Sequence, residues 1–530
     1  MKWGGLNAWC FIIATTLTFG EAMGGVEERP NIIVVMVDDM GWSDLGCYGG
    51  EIPTPHIDSL ARDGLRFTQF YNNAVCGPTR ASLLTGLYSQ SVGHSGRLWN
   101  EPKDHSKCVL IPEVLQANGY RTMMVGKWQG RDLAVQRGFD RFFGPNCRSK
   151  ISYYHEVHGN SFSLDGDPWS FPEEGFFMTD VFNQYANDFL SEAVAGEDPF
   201  FLYLAYVAPH WPLHAPEQYV APHRERYREK GWDDWREERL QRQKGLGLVA
   251  DDVELAPINS KIIPWQDDPF QQWQTDRMAV YAAQISRVDQ GVGTLLQTLE
   301  ESGKADNTLV LFLSDNGAAP DGGLAPNQQT FGFRADDSGA PFRRDGGKIR
   351  PGSGPENMPG PPDTFAGYGL AWAMTSNTPF RDTKMTAYEG GIRTPLIARW
   401  PTVIKQQGEI SSQIGHVIDL MPTCLEIAGI EYPNEFQGRH PIPMDGRSLL
   451  PIFHLQERDD YPALFFDVPR NQAVRMRDWK LVNSRRGSPW ELYDLSIDPT
   501  ERKNIADQHP EQVNKMNTAF AEWEKRVGAE

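Results

Sequence analysis

The sequence predicts an α/β fold: a large mixed, mostly parallel sheet sandwiched by helices, with a smaller C-terminal α+β subdomain. Three observations predict it. Continuous apolar runs end abruptly in polar residues, helical patterns alternate with those runs, and residues 451–530 change to short, closely spaced strand patterns.

Asn31–Val37 is a largely β-branched run, the mark of a strand buried on both faces. It stops at Asp38-Asp39. Tyr120–Val125 runs into Gly126-Lys127, Pro199–Val207 into Pro209-His210, and Thr308–Leu313 into Ser314-Asp315-Asn316-Gly317. Gly391–Trp400 reads as a further strand, after Lys384 and Glu389-Gly390. Helical patterns cover Ile57–Asp63, Ile111–Asn118, Phe182–Ala195 and Met278–Glu301. Such alternation builds a parallel sheet, and these sheets bind ligands outside the carboxyl ends of their strands. Asp38, Asp39, Lys127, His210, Asp315 and Asn316 all fall just past such ends.

Residues 318–370 form a Gly/Pro-rich insertion with little periodicity, and its place after Asp315-Asn316 predicts a rim over the site. Arg224–Gln243 is dense in charge and reads as an exposed helical excursion with a solvated face, carrying Trp232 and Trp235. Leu464–Phe466, Ala473–Met476, Trp479–Val482 and Trp490–Tyr493 read as strands ahead of a helix from Pro510 to Arg526. The N-terminus has a charged Lys2, a short apolar run from Trp9 and small residues at Gly20-Glu21-Ala22, which together read as a signal peptide. The expected division is therefore a signal peptide at 1–22, a main domain at 28–450 and a C-terminal subdomain at 451–530. The expected location is secreted or periplasmic, with no membrane span in the mature chain.

Lys+Arg 51 against Asp+Glu 70 gives a net charge of −19, which argues against nucleic acid as a partner. An anionic substrate would need a local basic pocket. Of six cysteines, Cys10 would leave with the signal peptide. Cys47, Cys76, Cys108, Cys147 and Cys424 are too few and too scattered for a disulfide scaffold. With Cys76 set aside, the other four allow two bridges or none.

Cys76-Gly77-Pro78-Thr79-Arg80, followed by residues able to start a helix, sets a thiol near a helix N-terminus that favours negative charge. Arg80 adds a permanent cation with a planar donor fork suited to a tetrahedral oxyanion. Locally, the pentapeptide fits either a reactive side chain facing an anion or a buried structural cysteine. Asp38, Asp39, Asp315 and Asn316 offer only hard oxygen ligands, which suit Ca²⁺ better than Zn²⁺.

With Leu84-Thr85-Gly86, the pentapeptide resembles the C-x-P-x-R…L-T-G signature of type I (formylglycine-dependent) sulfatases, in the alkaline-phosphatase-like superfamily. Gly119-Tyr120-Arg121-Thr122 through Gly126-Lys127-Trp128 resembles their second signature. Pro209-His210-Trp211-Pro212, Ser314-Asp315-Asn316-Gly317 and Asn377–Arg381 with Lys384 and Glu389–Arg393 are similar to further family blocks. Glu491–Leu495 with Asp498-Pro499 is similar to the family's C-terminal unit. The resemblance runs in the family's order from about Pro30 to the C-terminus and is nearest to the arylsulfatase branch.

This resemblance implies hydrolysis of a sulfate ester, of an aryl alcohol or a carbohydrate, to alcohol and inorganic sulfate. It implies that Cys76 is converted to Cα-formylglycine by a formylglycine-generating or anaerobic sulfatase-maturating enzyme. One hydroxyl of the hydrated aldehyde attacks sulfur, and the other, once deprotonated, expels sulfate. Catalytic roles fall to Cys76, Arg80, Lys127, His210, Lys384 and Asp315. Substrate contacts fall to Arg80, Lys127, His210, Lys384 and His214. One Ca²⁺ falls to Asp38, Asp39, Asp315, Asn316 and the modified Cys76. The chain departs from the family at Gln129, where the second signature continues with histidine. Glutamine can hydrogen-bond but cannot shuttle a proton, with His94 and His214 as conceivable substitutes. The alternatives are a phosphate or phosphonate ester hydrolase of the same superfamily, or a sulfated-glycan binder of low activity.

Overall fold

The computed structural model describes residues 1, 29–93, 107–130, 132–146, 152–154, 161–320, 349–351, 354–468 and 470–528. The expected signal peptide after Met1, His94, most of the 318–370 insertion and Cys147 lie outside the described residues.

Among the described residues, the large sheet has eleven strands. They are β1 (Asn31–Asp38), β2 (Leu65–Tyr71), β3 (Arg121–Gly126), β4 (Arg141–Pro145), β5 (Phe162–Leu164), β6 (Asp167–Trp169), β7 (Phe200–Pro209) and β8 (Thr308–Ser314), then β11 (Arg393–Arg399), β12 (Glu409–Ser411) and β13 (Gly415–His416). The short pair β9 (Arg350–Pro351) and β10 (Thr364–Phe365) stands apart. Strand order is β12-β2-β11-β8-β1-β7-β3-β4-β5-β6, with β13 also on β2. The centre, β8-β1-β7-β3-β4, is parallel, and β11 is antiparallel to both β8 and β2.

The helices are α1 (Pro55–Arg62), α2 (Cys76–Thr85), α3 (Ile111–Ala117), α4 (Met178–Val194), α5 (Glu217–Arg228), α6 (Trp232–Gly245), α7 (Gln271–Glu301), α8 (Gly369–Ser376), α9 (Glu389–Ile392), α10 (Leu420–Ile427), α11 (Leu450–Phe453) and α12 (Pro510–Val527). The apolar run of β1 is explained by helices on both sides. Ile33, Val35 and Val37 face one core with residues of α4 and α7, and Ile32, Val34 and Met36 face another with residues of α2, α3 and α10. None of these six is more than 1% exposed. β14 (Leu464–Asp467), β15 (Gln472–Met476), β16 (Trp479–Asn483) and β17 (Trp490–Asp494) form a separate antiparallel sheet, and α12 packs on it.

The 224–243 stretch corrects the sequence reading. It forms parts of two helices, α5 and α6, and Trp232 and Trp235 are 1% and 5% exposed. Trp232 meets Trp265 and Trp372 edge-on, with ring centroids 4.8 and 5.7 Å apart. The charge of α6 is also partly internal: fully buried Arg239 bonds Asp44 at 2.9 Å and Glu51 at 2.8 Å. Charge density therefore marked a buried ion network as well as a wet face. Among the described cysteines, Cys47, Cys76 and Cys424 are free thiols. Among the described residues, no helix is long and apolar enough to cross a membrane.

Candidate active site

Register brings the strand ends together. Asp38 pairs with Pro209, Val37 with Ser314, and Gly126 with Ala205, so Asp38, Asp39, Lys127, His210 and Asp315 share one edge of the sheet. Gly126 is needed there. At its φ of 109° a Cβ would stand 2.0 Å from the Ala205 carbonyl oxygen, so no side chain fits ahead of Lys127. β2, separated from β8 by antiparallel β11 and so running in the direction of the central strands, ends at the same edge, opposite Arg393, and delivers Asn72–Cys76 to it. Asp39, Ala74, Asp382 and Met385 all have left-handed φ values of 56–72°. Such backbone costs about 1–3 kcal/mol per residue and gathers at functional sites; here it flanks Asp38, Cys76 and Lys384.

Cys76 is buried and opens α2. Asn73 braces that turn, donating from Nδ2 to Ser82 Oγ at 2.8 Å and to the Pro78 carbonyl at 3.2 Å. Its N–H donates to Thr79 Oγ1 at 3.1 Å. Gln129 Nε2 lies 3.4 Å from Cys76 Sγ. Arg80, one turn into α2, donates from Nε to Asp315 Oδ2 at 2.9 Å, with Nη2 at 2.8 Å from the same oxygen and 3.8 Å from Asp38 Oδ2. Its Nη1 is buried with no protein partner. Lys127 pairs with Asp38, and Lys384 with Asp39.

Three cations thus face three carboxylates, all buried. Burial alone would raise Asp38, but Lys127, His210, Arg80 and Lys384 together hold its carboxyl well below the usual range. Asp315 moves the other way: burial and the charge of Asp38 raise it, against Arg80 and Lys127. Burial works against the charge on Lys127, and Asp38 reverses that and raises it.

The residues fit a hard divalent cation. Asp38 Oδ1, Asp39 Oδ2 and Asn316 Oδ1 are buried without hydrogen-bond partners, and three orphaned oxygens at one place are otherwise costly. Asn316 is turned for this by its Nδ2, which donates to Asp39 Oδ1 at 2.7 Å and to the Gly317 carbonyl at 2.9 Å. Asp38, Asp39 and His210 bring candidate ligand atoms within 4.8 Å of one another. His210 holds Nδ1 2.5 Å from the Trp211 carbonyl oxygen, which aims Nε2 at Asp39 Oδ2, 3.5 Å away. Asp315, expected among the ligands, spends Oδ2 on Arg80 and accepts the Asp39 N–H on Oδ1 at 3.3 Å.

His214 is placed differently from the site residues. It is fully buried, with Nε2 2.6 Å from the Thr364 carbonyl oxygen, and burial lowers it to about 4. Leu213 and Ala215 donate N–H groups to Ala366 and Gly360, so the described end of the insertion runs beside the His210 loop. Any part His214 has in binding substrate acts through that wall. Sequence reasoning missed the supports. Tyr281 donates to Asp44 Oδ2 at 2.7 Å, and Asp44 accepts the Gly41 N–H just after Asp39. Asn377 accepts the Ala318 N–H at 3.0 Å, and Ala318 accepts the Lys384 N–H at 3.0 Å. A buried polar residue next to a motif was the available signal, too common to single out.

Fold and site together define an alkaline-phosphatase-like hydrolase for esters of a tetrahedral oxyanion. The family profile described as Sulfatase matches residues 30–430, and the one described as N-sulphoglucosamine sulphohydrolase, C-terminal, matches 380–525. The chain belongs to the sulfatase family and is a sulfuric ester hydrolase. It is 31% identical to an uncharacterized sulfatase of Schizosaccharomyces pombe, covering 94% of each chain. It is 32% identical to an arylsulfatase of Klebsiella aerogenes, covering 82% of this chain and 94% of that one. The crystal structure of Ps i-CgsB with k-i-k-neocarrahexaose superposes with a TM-score of 0.66 at 24% identity, over 94% of this chain and 93% of the other.

Proposed function

We propose that this sulfatase cleaves sulfate from a sulfated carbohydrate or aryl alcohol, using a formylglycine made from Cys76 and one Ca²⁺. The observation that carries the reading is the meeting of the α2 N-terminus, Arg80 and Lys127 with three unpartnered ligand oxygens around Cys76. Formylglycine supplies a hydrated aldehyde as a regenerable nucleophile, and Ca²⁺ held by Asp38, Asp39, Asn316 and Asp315 supplies charge that offsets the carboxylates and the sulfate.

The chain's own groups do the rest. The Arg80 fork fixes Asp315 and leaves Nη1 for a sulfate oxygen. Lys127 and Lys384 neutralise the other oxygens as charge redistributes. Asp315, oriented by Arg80, accepts the proton of the attacking hydroxyl. His210 keeps Nδ1–H on Trp211, so its protonated Nε2 delivers a proton to the departing alcohol oxygen. Trp211, stacked 5.6 Å from His210, offers a ring face beside the site, which supports a sugar or aryl substrate. The arylsulfatase relative and the oligosaccharide complex support the same pair of substrate classes. Export behind a cleaved signal peptide and maturation of Cys76 by a formylglycine-generating or anaerobic maturating enzyme complete the proposal.

The test is to produce the chain with and without a formylglycine-generating enzyme, analyse the residue-76 peptide by mass spectrometry, and compare 4-nitrophenyl sulfate, 4-nitrophenyl phosphate and a panel of sulfated sugars. Sulfate release should track conversion at residue 76. A preference for phosphate would overturn the sulfate assignment, and full conversion with no release from any ester would make the chain a binder.

A further inference from the structure

Away from the catalytic edge, the α6–α7 connection and the start of α8 enclose a cavity of about 270 Å³. Trp232, Trp273 and Tyr368 line it, and Ile263 and Phe270 stand at it 47% and 38% exposed. Arg277, on α7, lines the same space and is only 3% exposed. Its guanidinium lies 4.2 Å from the Trp273 ring centroid. Nε donates to the Gly367 carbonyl at 2.8 Å and Nη1 to Gln274 Oε1 at 3.1 Å, but Nη2 is buried with no protein partner.

The charge is also poorly matched. Burial lowers Arg277 to about 9, and only Asp268 opposes this among the described residues. Asp268 is already committed, accepting the Phe270 N–H at 2.7 Å and Gln274 Nε2 at 2.9 Å. A buried cation without a close partner is costly. Arg80 and Arg239, comparably buried, each sit directly on a carboxylate. An anion reaching Nη2 would supply that missing partner, and the aromatic walls would take a flat ring. The volume is near the lower end of ligand sites, roughly 300–1,000 Å³, so the occupant is small.

We propose that this cavity is a second ligand site, distinct from the catalytic centre, which binds an aromatic acid with its ring among Trp232, Phe270 and Tyr368 and its anionic group on Arg277. The proposal does not depend on which sulfate ester the enzyme cleaves.

The probes are 2-naphthoate and its neutral isostere 2-naphthamide, titrated calorimetrically into the mature enzyme and into Arg277→Met and Ile263→Glu variants. Wild type should prefer the acid at least tenfold. Arg277→Met should lose that preference, keep or gain thermal stability, and retain turnover of 4-nitrophenyl sulfate. Ile263→Glu, a change at a half-exposed position, should weaken the acid several-fold through like charge. Equal binding of acid and amide, or undiminished naphthoate binding by Arg277→Met, would each overturn the proposal.

Discussion

Gln129 Nε2 touches Cys76 Sγ at 3.4 Å, while Gln129 Oε1 is buried with no partner. The amide can therefore orient the side chain at 76, but it cannot take a proton from it. Gln129→His should raise kcat several-fold by helping sulfate release, with KM nearly constant. Gln129→Leu should lower kcat by about tenfold through loss of one donor. Pre-steady-state traces with 4-nitrophenyl sulfate separate the two: the histidine variant should show a smaller initial burst relative to its steady rate.

The orphaned oxygens of Asp38, Asp39 and Asn316 predict a metal requirement. Chelation with EGTA should abolish turnover and lower Tm, and Ca²⁺ should restore both better than Zn²⁺, because the oxygen donors are hard. Metal analysis of the purified enzyme should return about one Ca²⁺ per chain. Asn316→Leu, which removes one oxygen and the donor to Asp39, should weaken Ca²⁺ binding at least tenfold.

Arg80 holds Asp315 through both Nε and Nη2 while Nη1 stays without a protein partner. Lysine keeps the charge but loses the planar fork, so it can serve the carboxylate or the sulfate, not both. Arg80→Lys should lower kcat by about 10²–10³, the usual scale for losing an oriented donor to developing charge. Circular dichroism should remain that of the wild type.

Fully buried Lys480, on β16 of the small antiparallel sheet, lies 2.8 Å from Glu389 at the start of α9 and 2.7 Å from Glu501. Glu389 precedes β11, and its carboxylate also accepts from Tyr71 at 2.8 Å. Lys480→Met would strand two buried carboxylates and should cost about 3–5 kcal/mol. Urea unfolding should show the loss, and Lys480→Met with Glu501→Gln should recover part of it.

How legible the site was depended on what fixed each part. The strand ends carrying Asp38, Lys127, His210 and Asp315 could be read because a doubly covered strand leaves a continuous apolar run that stops where the ligand edge begins. β2 could not be read that way. Its sequence, Leu-Arg-Phe-Thr-Gln-Phe-Tyr, is mixed, and its place beside β11 is set by a partner more than 300 residues away. Trp232 and Trp235 were assigned to a wet face because charge density in a sequence does not distinguish solvated residues from ion pairs such as Arg239 with Asp44 and Glu51. His214 sits in the motif but turns into the wall, since its neighbours Leu213 and Ala215 bond the insertion. A motif gives order along the chain, and the direction of a side chain comes from what packs behind it.

Acid sensitivity should come from histidines that the fold keeps neutral. His416 and His214 are fully buried, and burial lowers them to about 3 and about 4. The unfolded chain takes up protons near pH 6.5, where the folded chain does not. Protons then favour unfolding, so each group leaves stability intact above about pH 6.5 and erodes it as pH falls toward its folded value. For His416 the loss between pH 6.5 and 4.5 should be on the order of 2 kcal/mol. His416 also caps a turn, its Nδ1 accepting the Ile418 N–H at 3.3 Å, so the replacement must keep an acceptor there. His416→Asn does so without a titrating group. Its Tm should fall less steeply than that of wild type across this pH range, while the two stay close at pH 7.5. Parallel slopes would mean that other groups carry the acid response.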